Sequence, residues 1–174
     1  FKFVNAAELL RHTNSGWSEE DAKHCEKWLM DVWHPTIKHY AHFANGNWET
    51  AALQTKMAIA IFCNNRQLFE ATVRYAIAGA GNGSISHTIV SPSGQCQESS
   101  RAQHYAQLGL GLLACAAEVA WNQGVDLYGW RDNRILAGFE YCAKYGLGED
   151  VDYQPYLDRT GKYGIGGRNN PYTK

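Results

Sequence analysis

The sequence predicts an all-α protein. Apolar residues recur every three or four positions through most of the chain. Helix-starting and helix-ending residues punctuate them at hairpin intervals, and only one short segment reads as a strand.

Ser18-Glu19-Glu20-Asp21 reads as an N-cap followed by a first turn of acids, which the positive end of a helix dipole favours. The helix it opens carries the stripe Ala22, Cys25, Leu29, Val32 and Trp33, until Pro35 stops or kinks it. A second helix is expected from about Asn47 to Cys63, with Ala51, Met57, Ala58 and Ile61 inward, and Asn64-Asn65 as the turn that ends it. A third runs from Gln67 to Ala78, burying Phe69, Val73 and Ala76. From Gly79 to Gly94 the helical period is lost, and Ser84 to Val90 reads as a short strand before a Pro92/Gly94 turn. A long helix follows from about Ser100 to Gln123. Leu108, Leu110, Leu112, Leu113, Ala116 and Val119 make it apolar nearly all round, the pattern of a central helix. Trp121-Asn122-Gln123-Gly124 reads as a glycine-mediated helix end, and a last helix spans about Asp132 to Lys144 with Gly146 as its C-cap. Gly148 to Lys174 is rich in Gly, Asp, Asn and Tyr and reads as loop. Helices paired as hairpins around function-bearing loops point to a toroid or bundle. With no helix after the final loop, the toroid is expected to be incomplete, and residues 1–174 to be a single helical domain of a longer one.

Composition narrows the function. An apolar fraction of 45% over 174 residues supports one domain with a real core. A net charge of -1, with Lys and Arg scattered, leaves no footprint for a phosphate backbone, so no nucleic-acid partner is expected. The longest apolar run, Met57 to Cys63, is far short of the roughly 18 residues of a membrane span, and no membrane partner is expected. Phe1-Lys2-Phe3 has no initiator Met and no signal-peptide pattern, as in a chain that is processed or begins inside a longer precursor. Cys25, Cys63, Cys96, Cys115 and Cys142 lack metal-ligand spacing, and no metal or cofactor is expected. Cys115 and Cys142 lie in apolar helical patterns and are expected to be buried. One cysteine pair could form a disulfide in a secreted protein. Asn82-Gly83-Ser84 is a glycosylation sequon that adds weak support for secretion, extracellular or periplasmic.

Six Trp and ten Tyr exceed what most cores of this size need, and such residues often line sugar clefts, although helix layers can absorb them. The densest polar cluster is Gln95 to Tyr105. On a helix, Glu98, Arg101 and Tyr105 would share a face, with Gln97 and His104 at its side. A guanidinium one turn from a phenol favours the phenolate, which can act as a base. The plainer alternative is a capped helix start with an ordinary Glu–Arg pair. Asn47 could be an N-cap, or an amide that binds a carboxylate. Trp48 could stack on a sugar or fill the core. His87 is a further polar group able to reach a cleft. There is no HExxH, P-loop, GxSxG or GxGxxG pattern.

The stretch Gln97-Glu98-Ser99-Ser100-Arg101, followed by Ala106-Gln107-Leu108-Gly109-Leu110-Gly111, resembles the alginate-lyase superfamily of polysaccharide lyases. Asn122-Gln123-Gly124-Val125-Asp126-Leu127-Tyr128, Glu140-Tyr141 and Asn47 with Met57-Ala58 fit the same pattern, so the resemblance spans about 45–153. It implies an (α/α) toroid and metal-free β-elimination on an acidic polysaccharide such as alginate or glucuronan. By the resemblance, Asn47 matches the carboxylate-neutralising Asn and Tyr105 the Tyr that serves as base and acid in mannuronate-cutting members. Arg101 matches a basic position. Two positions depart: Trp48 stands where those lyases have His, and Glu98 where they have Arg. His104 or His87 would then supply the imidazole, with Gln97, Glu98, Trp48 and His87 binding substrate. A related branch matches Gln-Glu-Ser-x-Arg more closely but commonly has His at the position of Tyr105. The departures keep a second reading open, a non-catalytic carbohydrate-binding helical domain. A purely structural helical domain and a paired-carboxylate hydrolase stand further back. The oligomeric state has no sequence signal.

Overall fold

In helix α4 (Gly46–Phe62) thirteen of the seventeen residues are buried, on nearly every side. Such a helix has no solvent face and must be covered by others. A computed structural model of the protein describes residues 1–161 and supplies that cover. The other elements are α1 (Lys2–His12), α2 (Glu19–Trp28), a π-helical turn (Leu29–Trp33), α3 (His34–Ile37), α5 (Arg66–Ala78), α6 (Ile85–Thr88), α7 (Gln103–Trp121) and α8 (Trp130–Gly146). The fold is all-α, and the described residues contain no strand.

Three helices run in one direction. The amino group of Phe1 lies 3.4 Å from Thr55 Oγ1 and Arg11 donates to the Phe62 carbonyl, so α1 runs parallel to α4. A Cβ on Gly109, early in α7, would lie 3.9 Å from Asn47 at the start of α4. Ala60 and Asn64 share a cavity wall with Gln123 at the far end. The α4–α7 pair is the main seam of the core, where Leu53, Met57, Leu110, Leu113 and Ala117 are fully buried. Each large side chain there contributes about 2 kcal/mol by leaving water. Helices α2–α3, α5 and α8 return the chain, which gathers the segments 38–45, 79–102 and 147–161 at one end. Asn82 ties these together. Its Nδ2 donates to the Ala44 carbonyl (3.0 Å) and Asp158 Oδ2 (2.8 Å), and its Oδ1 accepts from the Arg159 amide. Gln95 and Gln154 exchange two further bonds at 2.7 and 2.8 Å.

The signals from Ser18, Asn65 and Gly124 translate directly. Ser18 Oγ accepts from the Asp21 amide, Asn65 Oδ1 from the Leu68 amide, and Gly124 turns at φ +78°. Elsewhere the structure corrects the expectation. Of the two outcomes expected at Pro35, a stop or a kink, the stop does not occur. Lacking an N–H, Pro35 is accommodated by the π turn just before it, where His34 N reaches the Leu29 carbonyl, and the chain continues through α3. The expected strand is instead the single turn α6 plus one bridge, Ile89 to Cys96. Ile85 and Ile89, at the two ends of that turn, are both fully buried. Helix α7 begins at Gln103, not Ser100, because Ser100 adopts φ +75°. It is also not enclosed: Leu108, Cys115 and Trp121 face outward, so Cys115 is an exposed thiol. Helix α8 opens with Arg131, Asp132 and Asn133 in left-handed geometry, and the left-handed glycine after it is Gly148, while Gly146 stays helical. Helix α1 has no counterpart in the sequence reading. Asn82, the sequon residue, is 1% exposed with both amide hydrogens bonded, so the folded chain cannot carry a glycan there. No helix among the described residues is long and apolar enough to cross a membrane. Of the Gly148–Lys174 loop, residues up to 161 are loop as expected and 162–174 lie outside the described residues.

Two stability predictions follow from backbone and charge. Gly94 has φ +94°, and a Cβ there would collide with the Ala137 carbonyl of α8. Gly94→Ala should cost about 3–5 kcal/mol in urea denaturation, against about 1–2 kcal/mol for Gly16→Ala, which has φ +77° but open space. Lys56 is buried, its ammonium over the Tyr40 ring (3.7 Å) and bonded to the Lys38 carbonyl (3.1 Å), and desolvation lowers its pKa to about 8. Between that value and the ordinary one near 10.5 the unfolded chain holds the proton that the folded chain has lost, so stability from this group rises with pH. Relative to Lys56→Met, the natural protein should gain on the order of 1–3 kcal/mol as pH rises through that window. Parallel denaturation series of the two proteins would measure the difference.

Candidate active site

The N-termini of α4 and α7 converge at the loop-bearing end, and neither N-cap residue, Asn45 or Ala102, makes a side-chain capping bond. The positive ends of two helix dipoles therefore meet there. Asn47 sits inside the first turn of α4 and is 5% exposed, so it is not the N-cap. Its Oδ1 has no hydrogen-bond partner. Gln97 is anchored on both sides: its amide donates to the Thr88 carbonyl (2.8 Å), and its Oε1 accepts from the Gly46 amide (2.9 Å). Its Nε2 is buried without a partner. A buried amide left unbonded costs about 1–3 kcal/mol, so two at one place are a costly arrangement for a merely structural surface.

Glu98 and Arg101 do not share a helical face with Tyr105, because both precede α7. They meet it all the same. A turn closed by the Arg101 amide on the Glu98 carbonyl (3.0 Å) pairs the two side chains, and the guanidinium folds back to 3.9 Å above the Tyr105 ring. Glu98 and Arg101 are buried and Tyr105 half-buried. Glu98 Oε1 is a third buried atom without a partner. His104 is exposed, its ring 4.1 Å from that of Tyr105. The structure thus brings Asn47, Gln97, Glu98, Arg101, Tyr105 and His104 to one end of the α4–α7 seam.

Trp48 is 60% exposed and meets Phe43 edge-on at 6.3 Å, beside an apolar groove of about 330 Å³ that Tyr40 and Thr55 also line. It is not a core residue. His87 lies elsewhere. Its Nδ1 is 3.0 Å from both Ser84 Oγ and the Gly81 carbonyl, and its ring lines an open cleft of about 630 Å³ with Trp130, Arg131, Tyr156 and Arg159. None of the Arg101–Tyr105 group lines that cleft.

The sequence reading missed Glu49. It is fully buried, accepting from the Gly83 amide (2.6 Å) and Tyr75 Oη (3.0 Å), with His42 Nδ1 2.6 Å away. The Tyr75 proton is committed to Glu49, so His42 Nδ1 donates as well and its Nε2 turns away from the carboxylate. Burial, then the nearby Glu49 charge, push the Tyr75 phenol up. The signal was available: a Glu, a Gln and a Lys inside an otherwise apolar helix must be buried with partners. Among the described residues no three His, Cys, Asp or Glu side chains converge as a metal-ligand set.

The alginate lyase family profile matches residues 1–151, a span that contains every residue of this cluster. No curated protein and no solved structure matches the chain. The family match covers most of the chain, and the protein belongs to the alginate lyase family.

Proposed function

We propose that this protein is a polysaccharide lyase that cleaves a polyuronate, alginate or glucuronan, by β-elimination. What supports the reading most directly is the buried Gln97 Nε2, a donor without a partner, at the same end of the seam as Asn47 and the Arg101–Tyr105 stack. The C5 proton of a uronate lies α to a carboxylate and is weakly acidic. Its removal requires hydrogen bonds to the carboxylate as that group takes on enolate charge. The Gln97 Nε2 donor is suited to it, and Asn47 would contribute through its Nδ2, reinforced by two helix N-termini. The Tyr105 oxygen takes the C5 proton, the C4–O4 bond breaks as the C4–C5 double bond forms, and the departing O4 takes a proton back from Tyr105. Arg101, held by Glu98, lies over the face of the Tyr105 ring and holds it in place. His104 borders Tyr105 on the solvent side, and Trp48 offers an exposed face for a sugar ring. Helical hairpins led by parallel inner helices are the repeating unit of an (α/α) toroid, and the reading includes that architecture and a secreted protein acting on extracellular polymer.

Tyr105→Phe removes the proton carrier without removing a hydrogen bond of the fold. Turnover of alginate or polyglucuronate, read as ultraviolet absorbance of the unsaturated product, should fall by about 10²–10⁴-fold with little change in Tm. An unchanged rate would assign the base elsewhere. Binding of both polymers without any absorbance would favour a non-catalytic carbohydrate-binding domain. Trp48→Ala should raise KM several-fold and leave kcat within about twofold, because stacking far from the reacting bond holds ground state and transition state alike.

A further inference from the structure

We propose that the open cleft beside His87 is a second binding site, separate from the Arg101–Tyr105 group, and that it takes a carboxylated sugar. Its volume of about 630 Å³ lies within the roughly 300–1,000 Å³ of ligand pockets. The walls come from the end of α5 with the α6 turn, from the entry of α8, and from the 147–161 segment. Two arginines line it. Arg159 is tethered through its Nε, which donates to the Ala80 carbonyl (3.0 Å), so its two outer nitrogens remain for a ligand. Arg131 lies over the Trp130 ring at 4.9 Å. Both are exposed, and neither pairs with a carboxylate among the described residues. The acid in the lining, Asp158, is buried and engaged by Asn82 Nδ2 and Thr160 Oγ1, each at 2.8 Å. Two unpaired guanidiniums in one concave surface favour an anion. Arg131 is also the first of three consecutive left-handed residues, at φ +48° and ψ +57°, and none of the three is glycine. Such backbone is strained for L-residues, and strain of this kind concentrates at ligand clamps.

The rest of the lining distinguishes a sugar from a bare anion. His87 Nδ1 lies 3.0 Å from the Gly81 carbonyl, which can only accept, so Nδ1 carries a proton. In the neutral ring Nε2 then keeps its lone pair on the side away from Gly81, where it can accept from a hydroxyl. Tyr156, half-buried in the same cleft, offers an aromatic face to the C–H side of a pyranose. Sulfate or phosphate would use the arginines and leave the imidazole acceptor and the phenol ring idle. A carboxylated pyranose uses all of them: its carboxylate meets the guanidiniums, a hydroxyl meets His87, and its ring lies on Tyr156. The cleft binds and breaks no bond. The inference goes beyond the lyase reading and does not need it, because no residue of the Arg101–Tyr105 group lines this cleft.

Nuclear magnetic resonance titration of the full chain with D-glucuronate or D-mannuronate tests the proposal, since neither monosaccharide has a glycosidic bond to cleave. Saturable shifts are expected at 84–87, 130–131 and 156–159. Glucose, which lacks the carboxylate, should bind about tenfold more weakly or not at all. Arg131→Gly combined with Arg159→Gln removes both cations and eases the left-handed backbone at 131, so this variant should hold its Tm and lose those shifts. Arg159→Gln alone changes one exposed side chain and should weaken glucuronate by about tenfold. Unchanged affinity in both variants would overturn the site. So would glucose or inorganic sulfate binding as tightly as glucuronate, or shifts confined to 97–105. Cleft shifts in a chain that yields no unsaturated product from either polymer would support this site and count against the lyase reading.

Discussion

The carboxylate of Glu49 constrains the whole loop-bearing end of the molecule. It is buried one turn into an apolar helix, where an unpaired charge would be prohibitive. The chain meets that demand by laying residues 81–83 over it, so that the Gly83 amide, Tyr75 and His42 all point at one group. Side chains at 81 or 83 would collide with Glu49 itself, so the approach works only with glycine at both positions. Between them Asn82 is forced inward, and there its amide collects the 38–45 and 147–161 segments. Satisfying one buried charge thus fixes three loops.

Those loops position the candidate site. Once 79–84 is pinned, α6 follows immediately, and the Thr88 carbonyl fixes the Gln97 backbone. Gln97 in turn caps the start of α4 through the Gly46 amide, where a Cβ on Gly46 would press on the Asn82 carbonyl at 2.9 Å. Asn47 is the next residue. The path from Glu49 to the unbonded amides is therefore continuous hydrogen bonding and close packing, all of it on backbone already folded. Groups held this way are set before any ligand arrives, which is the condition for stabilising charge without reorganisation.

How much of this was legible depends on how local each signal is. The cap at Ser18 and the turns at Asn64-Asn65 and Gly124 need only neighbouring residues, and these were read correctly; that Asn65 also caps the next helix was not. The Ile85–Ile89 segment looked extended because its side chains are β-branched. The segment nevertheless forms a helical turn in the core, so tertiary context overrode that preference. The start of α7 was misplaced because nothing in Ser100 announces φ +75°. The cluster of Glu98, Arg101 and Tyr105 was legible as a group though not as a helical face, since a turn delivers the guanidinium to the ring by another route. Burial of Asn82 was illegible: a three-residue sequon carries no information about packing. Glu49 was legible in principle, because a carboxylate in a helix with so little polar face has few other outcomes.

The exchange of an expected Arg for Glu98 changes the electrostatics of the end where the amides meet. Glu98 pairs with Arg101 in a buried contact, so the two largest formal charges there largely cancel. An anionic sugar would then be received chiefly by neutral donors and by two helix N-termini, each worth roughly half an elementary charge. Fixed dipoles of this kind are directional and partly buried, so salt screens them less than it screens exposed lysines. Selection among polyuronates would consequently rest less on charge density than on where each epimer places its carboxylate against Asn47 and Gln97. The C5 hydrogen would then have to face Tyr105, and a sugar whose carboxylate fits while that hydrogen points away would bind and not react.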